Sequence, residues 1–118
     1  MISKNNEIEI AQKYFELANN RDLKTIPNVL DTKIIYTSDT TGIYFGINDT
    51  MEMMSTFFDK FKYLNWKIES IELIKDSVIE IYFTLTMIGE DDVQIEKKGV
   101  ERLVVDLGLI KYIEVRNL

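Results

Sequence analysis

"KKGVERLVVDLG", residues 97–108, reads as a β-strand entered through a glycine and left through an Asp-Leu-Gly turn. From Gly99 onward its side chains alternate, because successive strand residues point to opposite sides. Glu101 shares a face with Leu103 and Val105, and Arg102 shares the other with Val100 and Val104. Both faces are otherwise apolar, so one of the two charged residues is expected to be sheltered from water.

Working outward, a period of two governs the chain from Asn65 to its end. Strands are expected over about Asn65 to Lys75, Val78 to Ile88, Val93 to Asp106 and Leu109 to Arg116, joined by "DS", "GEDD" and "DLG" at hairpin distances. This is an antiparallel meander. Two strands change phase, one between Trp66/Ile68 and Ile71/Leu73 and one around Gly99, and bulges at those places would bend the sheet.

The first half of the chain has a helical period. Ile8, Ile10, Ala11, Tyr14, Phe15, Leu17 and Ala18 make one amphipathic helix from Glu7 to Asn19. A short second helix is expected to run to about Leu30, with Thr25 as N-cap and Pro27 in its first turn. "KIIYTS" is a strand and "DTTG" turns it. After Gly46, Asp49 and Glu52 have the spacing of a capping box, and Met51, Met54, Phe57, Phe58 and Phe61 give a third helix its buried face. The expected fold class is α+β: three N-terminal helices packed on a strongly curved, mostly antiparallel sheet, a cystatin-like cone with a central cavity, in one domain over residues 1–118.

Composition narrows the chemistry. There is no histidine and no cysteine in 118 residues. Proton transfer must therefore fall to Asp, Glu, Tyr or Lys, and neither a disulfide framework nor a thiol nucleophile is available. No metal site or cofactor is expected; "GEDD" at residues 89–92 reads as a solvated hairpin tip without calcium-loop spacing. A net charge of −6 without a basic block argues against a nucleic-acid partner. "MISKNNEIEI" has no apolar signal core and no run is long enough to span a membrane, so a soluble cytoplasmic protein is expected.

The residue order resembles the nuclear transport factor 2-like superfamily, and within it the ketosteroid isomerase and SnoaL-like polyketide cyclase group. The resemblance rests on "AQKYFELANNRDLKTI", on Gly46 leading into "MEMMSTFF", and on "ERLVVDLGLIKYIEV". It implies a central pocket for a small hydrophobic, carbonyl-bearing molecule. It also implies an oxyanion hole made by a first-helix tyrosine and a late-strand acid kept neutral, with an early-strand aspartate moving the proton. Tyr14 matches the tyrosine and Glu101 the acid. The aspartate position falls on Ser38, with Asp39 one residue later, on the opposite face of an ideal strand.

Each of these residues has a plainer reading. Tyr14 can be a core tyrosine bonded to a carbonyl or a water, Glu101 a rim residue in a cross-strand ion pair, and Asp39 the first residue of a type I turn. The candidate catalytic set is Tyr14, Asp39 and Glu101. The candidate pocket lining is Tyr36, Ser38, Phe58, Trp66, Tyr82, Thr84 and Leu103. In "VIEIYFTLTM" the resemblance turns the Tyr82 and Thr84 face into the cone. Ile79, Ile81 and Phe83 then lie on the convex side, where a second copy of the chain is expected to cover them. The opposite assignment puts the isoleucines in the core. Epoxide hydrolase relatives use Asp, Arg and Asp, which Arg21, Arg102 and Arg116 do not obviously supply. Two functions stay open: proton transfer on a bound carbonyl compound, or a non-catalytic dimeric ligand-binding or association module.

Overall fold

The computed structural model describes residues 4–118. In chain order these form helix α1 (Lys4–Asn19), a single 3-10 turn (Ile26–Val29), strands β1 (Leu30–Ser38) and β2 (Gly42–Phe45), helix α2 (Ile47–Asp59), and strands β3 (Phe61–Lys75), β4 (Val78–Gly89), β5 (Gln94–Asp106) and β6 (Leu109–Asn117). The strands make one sheet in the order β2-β1-β6-β5-β4-β3. Every neighbouring pair is antiparallel except β1 with β6. The meander read from the sequence is present, and β2 is an addition to it.

Helix α1 buries Ala11, Tyr14, Phe15, Leu17 and Ala18 against the sheet. It ends in a Schellman-type turn: the Asp22 amide donates to the Leu17 carbonyl and the Arg21 amide to that of Ala18, both at 3.0 Å. The left-handed position of this turn, where glycine is usual, is taken by Arg21 at φ 52°. Its guanidinium donates to the Phe58 carbonyl at 3.0 Å and so ties the end of α1 to the end of α2. Asn19 does the same toward the sheet. Its side-chain amide donates to the Trp66 carbonyl at 3.0 Å and accepts from the Trp66 amide at 2.7 Å.

The expected second helix is only the 3-10 turn, so two α-helices and not three cover the sheet. Leu30 is already extended and paired beside Ile110, which leaves room for one turn after Pro27. Thr25 makes no side-chain cap; Asp22 does, accepting from the Thr25 amide at 3.1 Å. Nor does the Asp49/Glu52 capping box form. Helix α2 starts at Gly46, whose φ of 89° is a conformation that side chains resist. It buries Thr50, Met53, Met54 and Phe58, while Phe61 belongs to β3.

The register shift in β3 between Ile68 and Ser70 is the phase change seen there in the sequence. The one expected at Gly99 is absent: β4 and β5 pair without a break through Phe83 and Gly99. The Phe83 ring lies over Gly99, where a Cβ would come within 2.5 Å of it. The shift between β5 and β6 comes from β6, where Lys111 is the extra residue between the Tyr112–Val104 and Ile110–Val105 pairs, and β5 keeps its alternation through Glu101, Leu103 and Val105.

Burial settles the faces of β4. Ile79, Ile81, Phe83, Leu85 and Met87 are buried under the helices, and Tyr82 is 38% exposed on the other side. The expectation that Tyr82 and Thr84 look inward is therefore corrected. Paired on both sides, by β3 and by β5, β4 turns its unbroken apolar stripe to the helices, and the isoleucine face can no longer be a reason for two copies to pair. The outer face has an apolar row of its own, Phe45, Ile35, Tyr112, Val104 and Val78, adjacent across five strands. Beside it Arg102 donates to Glu80 at 2.9 Å and Glu114 at 3.1 Å. Of the two charged residues in "VERL", Arg102 thus faces water in ion pairs and Glu101 faces inward.

Candidate functional site

A cavity of about 220 Å³ lies between the two helices and the inner face of the sheet. Helix α1 contributes Tyr14, Phe15 and Ala18, and α2 contributes Met53, Met54, Phe57 and Phe58. The strands add Tyr36 and Ser38 from β1, Phe61 and Trp66 from β3, Phe83, Leu85 and Met87 from β4, Lys97 and Glu101 from β5, and Val115 from β6. The wall is mostly aromatic and aliphatic, with Thr40, Thr41, Lys98 and Asn117 bordering it as well, and an apolar lining with some polar groups is the usual make-up of a small-molecule site.

Glu101 sits in the ladder between Ile81 and Val115, with Leu103 and Val105 beyond it on the same face, both in the core. It is 4% exposed, and its Oε2 is buried without a hydrogen-bond partner among the described residues. Burial in this apolar setting pushes its pKa up from 4.5 to about 8, because removal from water penalises the charged form. Tyr14 and Tyr36 stand near enough to feel that charge. The Tyr14 hydroxyl is held well above its ordinary value by burial first, then by Glu101 and Tyr36. Tyr36 is raised by burial, Glu101 and Tyr44 in that order. Tyr14 packs edge-on against Phe15 and Tyr36 against Tyr44, with ring centroids 5.9 and 6.4 Å apart. Two phenols and a neutral carboxylic acid thus place three O–H groups in one apolar cavity.

Ser38 also lines the cavity, and its Oγ accepts from the Thr40 amide at 3.1 Å, capping the β1–β2 turn. This is the capping role that the sequence suggests for Asp39. Asp39 is outside the cavity and exposed. Its Oδ2 accepts from the Asn117 amide at 2.9 Å, and its Oδ1 lies 3.8 Å from the Arg116 guanidinium. Its carboxylate is thus engaged by β6 and does not line the cavity.

Of the residues proposed from sequence, Tyr14, Tyr36, Ser38, Phe58, Trp66 and Glu101 come together on the cavity. Leu103 is fully buried in the core beneath it, and Tyr82 and Thr84 lie on the far side of the sheet. Met53, Phe83, Leu85, Met87 and Lys97 were missed. Lys97 lies four residues before Glu101 on the same face, and the phase change expected at Gly99 hid it, whereas the apolar stripe of β4 carried the signal for three others. Among the described residues no group of three or more Asp, Glu, His or Cys side chains could hold a metal ion, and no helix is long and apolar enough to cross a membrane.

No protein-family model matches the sequence, and neither does any curated protein. Solved structures do match. A nuclear transport factor 2-like protein from Burkholderia pseudomallei superposes with a TM-score of 0.86 at 13% identity, over 99% of this chain and 92% of its own. The chain has the nuclear transport factor 2-like fold. A SnoaL-like protein from Shewanella putrefaciens matches with a TM-score of 0.84 at 14% identity, over 99% of this chain and 91% of its own. An LEH-like epoxide hydrolase from M. tuberculosis matches at 0.85 and 15%, over 97% and 84%. Identities this low carry the nuclear transport factor 2-like fold and not a reaction, since one fold hosts many functions.

Proposed function

We propose that this chain binds a small, mostly apolar molecule through a carbonyl or phenolic oxygen directed at Glu101, Tyr14 and Tyr36. The observation that carries the reading is the Glu101 carboxyl, buried on the cavity with Oε2 unpartnered. A polar group buried without a partner costs about 1–3 kcal/mol, and a ligand oxygen accepting from the neutral acid would remove that penalty. A cavity of about 220 Å³ is below the roughly 300–1,000 Å³ of sites for drug-sized ligands. It suits one or two fused rings and not a four-ring skeleton.

Proton transfer is the second step of the same proposal, and it falls to Glu101 because Asp39 is turned away. With a pKa of about 8, roughly a tenth of Glu101 is ionised at neutral pH. That fraction takes an α-proton from a bound ketone, the tyrosine hydroxyls hold the enolate oxygen, and the acid so formed returns the proton. The test uses 2-tetralone in heavy water, with α-hydrogen exchange followed by proton NMR. Saturable acceleration by the wild type that is lost in Glu101→Gln is expected. Equal rates in both would remove the proton-transfer step, and absence of saturable binding would remove the ligand reading.

A second reading, association of two copies through the outer sheet face, has the apolar row there in its favour, with Phe45 68% exposed and Ile35 38% exposed. Sedimentation of a wild-type dimer that becomes a monomer in Phe45→Lys supports it; a monomeric wild type ends it.

A further inference from the structure

The cavity is electrically asymmetric along β5. Lys97, Gly99 and Glu101 share the inner face, by the unbroken pairing of Leu85 with Lys97, Phe83 with Gly99 and Ile81 with Glu101. Glu101 is buried, Lys97 is exposed where the cavity opens, and both line it. Between them the Phe83 ring rests on Gly99, so the path from acid to ammonium is apolar. Four strand residues set the two Cα atoms about 13 Å apart.

Lys97 has no structural occupation. Among the described residues no carboxylate lies within 4.0 Å of its Nζ, in contrast to Lys62, Lys67 and Lys111, which pair with Asp92, Glu69 and Asp31. Its neighbour Lys98 also borders the cavity, but its ammonium is turned to the outer face, where it donates to the Thr84 hydroxyl at 3.0 Å. Glu101 owes its raised pKa to burial and draws no compensation from Lys97. The groove on the other side of Phe57 and Phe61 is lined by Asp49 and Glu52 as well as Lys60. In a chain of net charge −6, the cavity face of β5 is therefore where a negative group meets a cation.

We propose that the bound molecule is an amphipathic anion, a one- or two-ring carboxylic acid that places an uncharged carbonyl or hydroxyl against Glu101 and its carboxylate over Lys97. This rests on the ligand reading above and adds the charge and the direction of the ligand. The rings lie over Phe83, and the anionic end stays near water, where holding it requires no desolvation of the ammonium.

Two probes of one shape separate the parts of this idea: 2-naphthol, and 6-hydroxy-2-naphthoate, which adds a carboxylate at the far end. Affinities of both for the full chain are measured by titration calorimetry at a pH of about 6.5, where the phenols are neutral. The acid is expected to bind roughly fivefold more tightly, as one partly exposed charge pair allows, and the ratio is expected to shrink with added salt. In Lys97→Met, shown to be folded by circular dichroism, the ratio is expected to fall to about one. In Lys24→Met, which removes an equal charge far from the cavity, it stays. A wild type that does not prefer the acid, or a preference that survives Lys97→Met, overturns the assignment of an anion while leaving 2-naphthol binding as support for the ligand reading. Failure of both probes to bind the wild type removes that reading and this one together.

Discussion

Replacing Glu101 by glutamine keeps the shape and the hydrogen-bonding capacity of the side chain and removes only its titration. The sign of the effect follows from where the proton sits. In the folded chain the carboxyl has a pKa of about 8 against an ordinary 4.5, so between those values the folded state holds a proton that the unfolded state has lost. Stability from this group is therefore fully present below about pH 4.5 and declines as pH rises toward 8, by about 1.4 kcal/mol for each pH unit. Over the whole window the loss approaches ~5 kcal/mol, a large part of the stability expected of a single domain. The assay is urea unfolding of wild type and Glu101→Gln at pH values from about 4.5 to 8.5, taking the difference at each pH so that all other titrations cancel. Glu101→Gln is expected to gain steadily on the wild type through this range and to level off above pH 8. A difference that is flat from about pH 5 to 8 would refute the argument, because it would mean that Glu101 ionises in the folded chain at its ordinary pKa and is not desolvated.

Three further outcomes are expected. Gly99→Ala places a Cβ 2.5 Å from the Phe83 ring and 3.0 Å from the Arg116 carbonyl; it should cost about 1–3 kcal/mol, although alanine in a strand normally gains over glycine, and Gly99→Ala combined with Phe83→Leu should recover part of the loss in thermal unfolding. Asn19→Ala removes both hydrogen bonds to the Trp66 backbone and should lower the urea midpoint by an amount equivalent to about 2–3 kcal/mol; an unchanged midpoint would mean that water replaces the side chain there. Asp39→Asn should leave ketone α-hydrogen exchange within about twofold of wild type, since Asp39 is bound to β6 outside the cavity; a loss of orders of magnitude would restore it as the base.

What the sequence yields here is whatever depends on neighbours along the chain. The strands from β3 to β6 were legible because a period of two held over long runs broken by short turns, and counting on from Gly99 put Glu101 and Arg102 on opposite faces without saying which of them is sheltered. The failures all concern residues whose place is set by distant partners. Pro27 and Thr25 looked like the start of a helix because nothing local shows that Leu30 will pair beside Ile110. Ser38 and Asp39 both suit the turn that follows them, and the choice between them is made by the Asn117 amide, 78 residues away, which takes the Asp39 carboxylate. The capping-box spacing of Asp49 and Glu52 gave way to Gly46, whose amide donates to the Ile34 carbonyl at 2.7 Å and whose φ turns the chain straight into α2.

The faces of β4 show the same limit and also where it yields. Both alternations in "VIEIYFTLTM" hold large side chains, so neither is excluded by polarity alone. The strand it pairs with is less ambiguous. Gly99 lies on the same face as Glu101 and opposite Phe83, and a missing side chain beside a phenylalanine makes room for a ring on a crowded face and has no purpose on a wet one. The ring that fills this gap also lines the cavity that Glu101 faces. Glycine, phenylalanine and the buried acid thus share one wall: the Phe83 ring can lie over position 99 only because that position has no Cβ, and Glu101 is held neutral by its burial in a mostly apolar cavity. On this argument any larger residue at position 99 should disturb the titration of Glu101 as well as the stability of the fold.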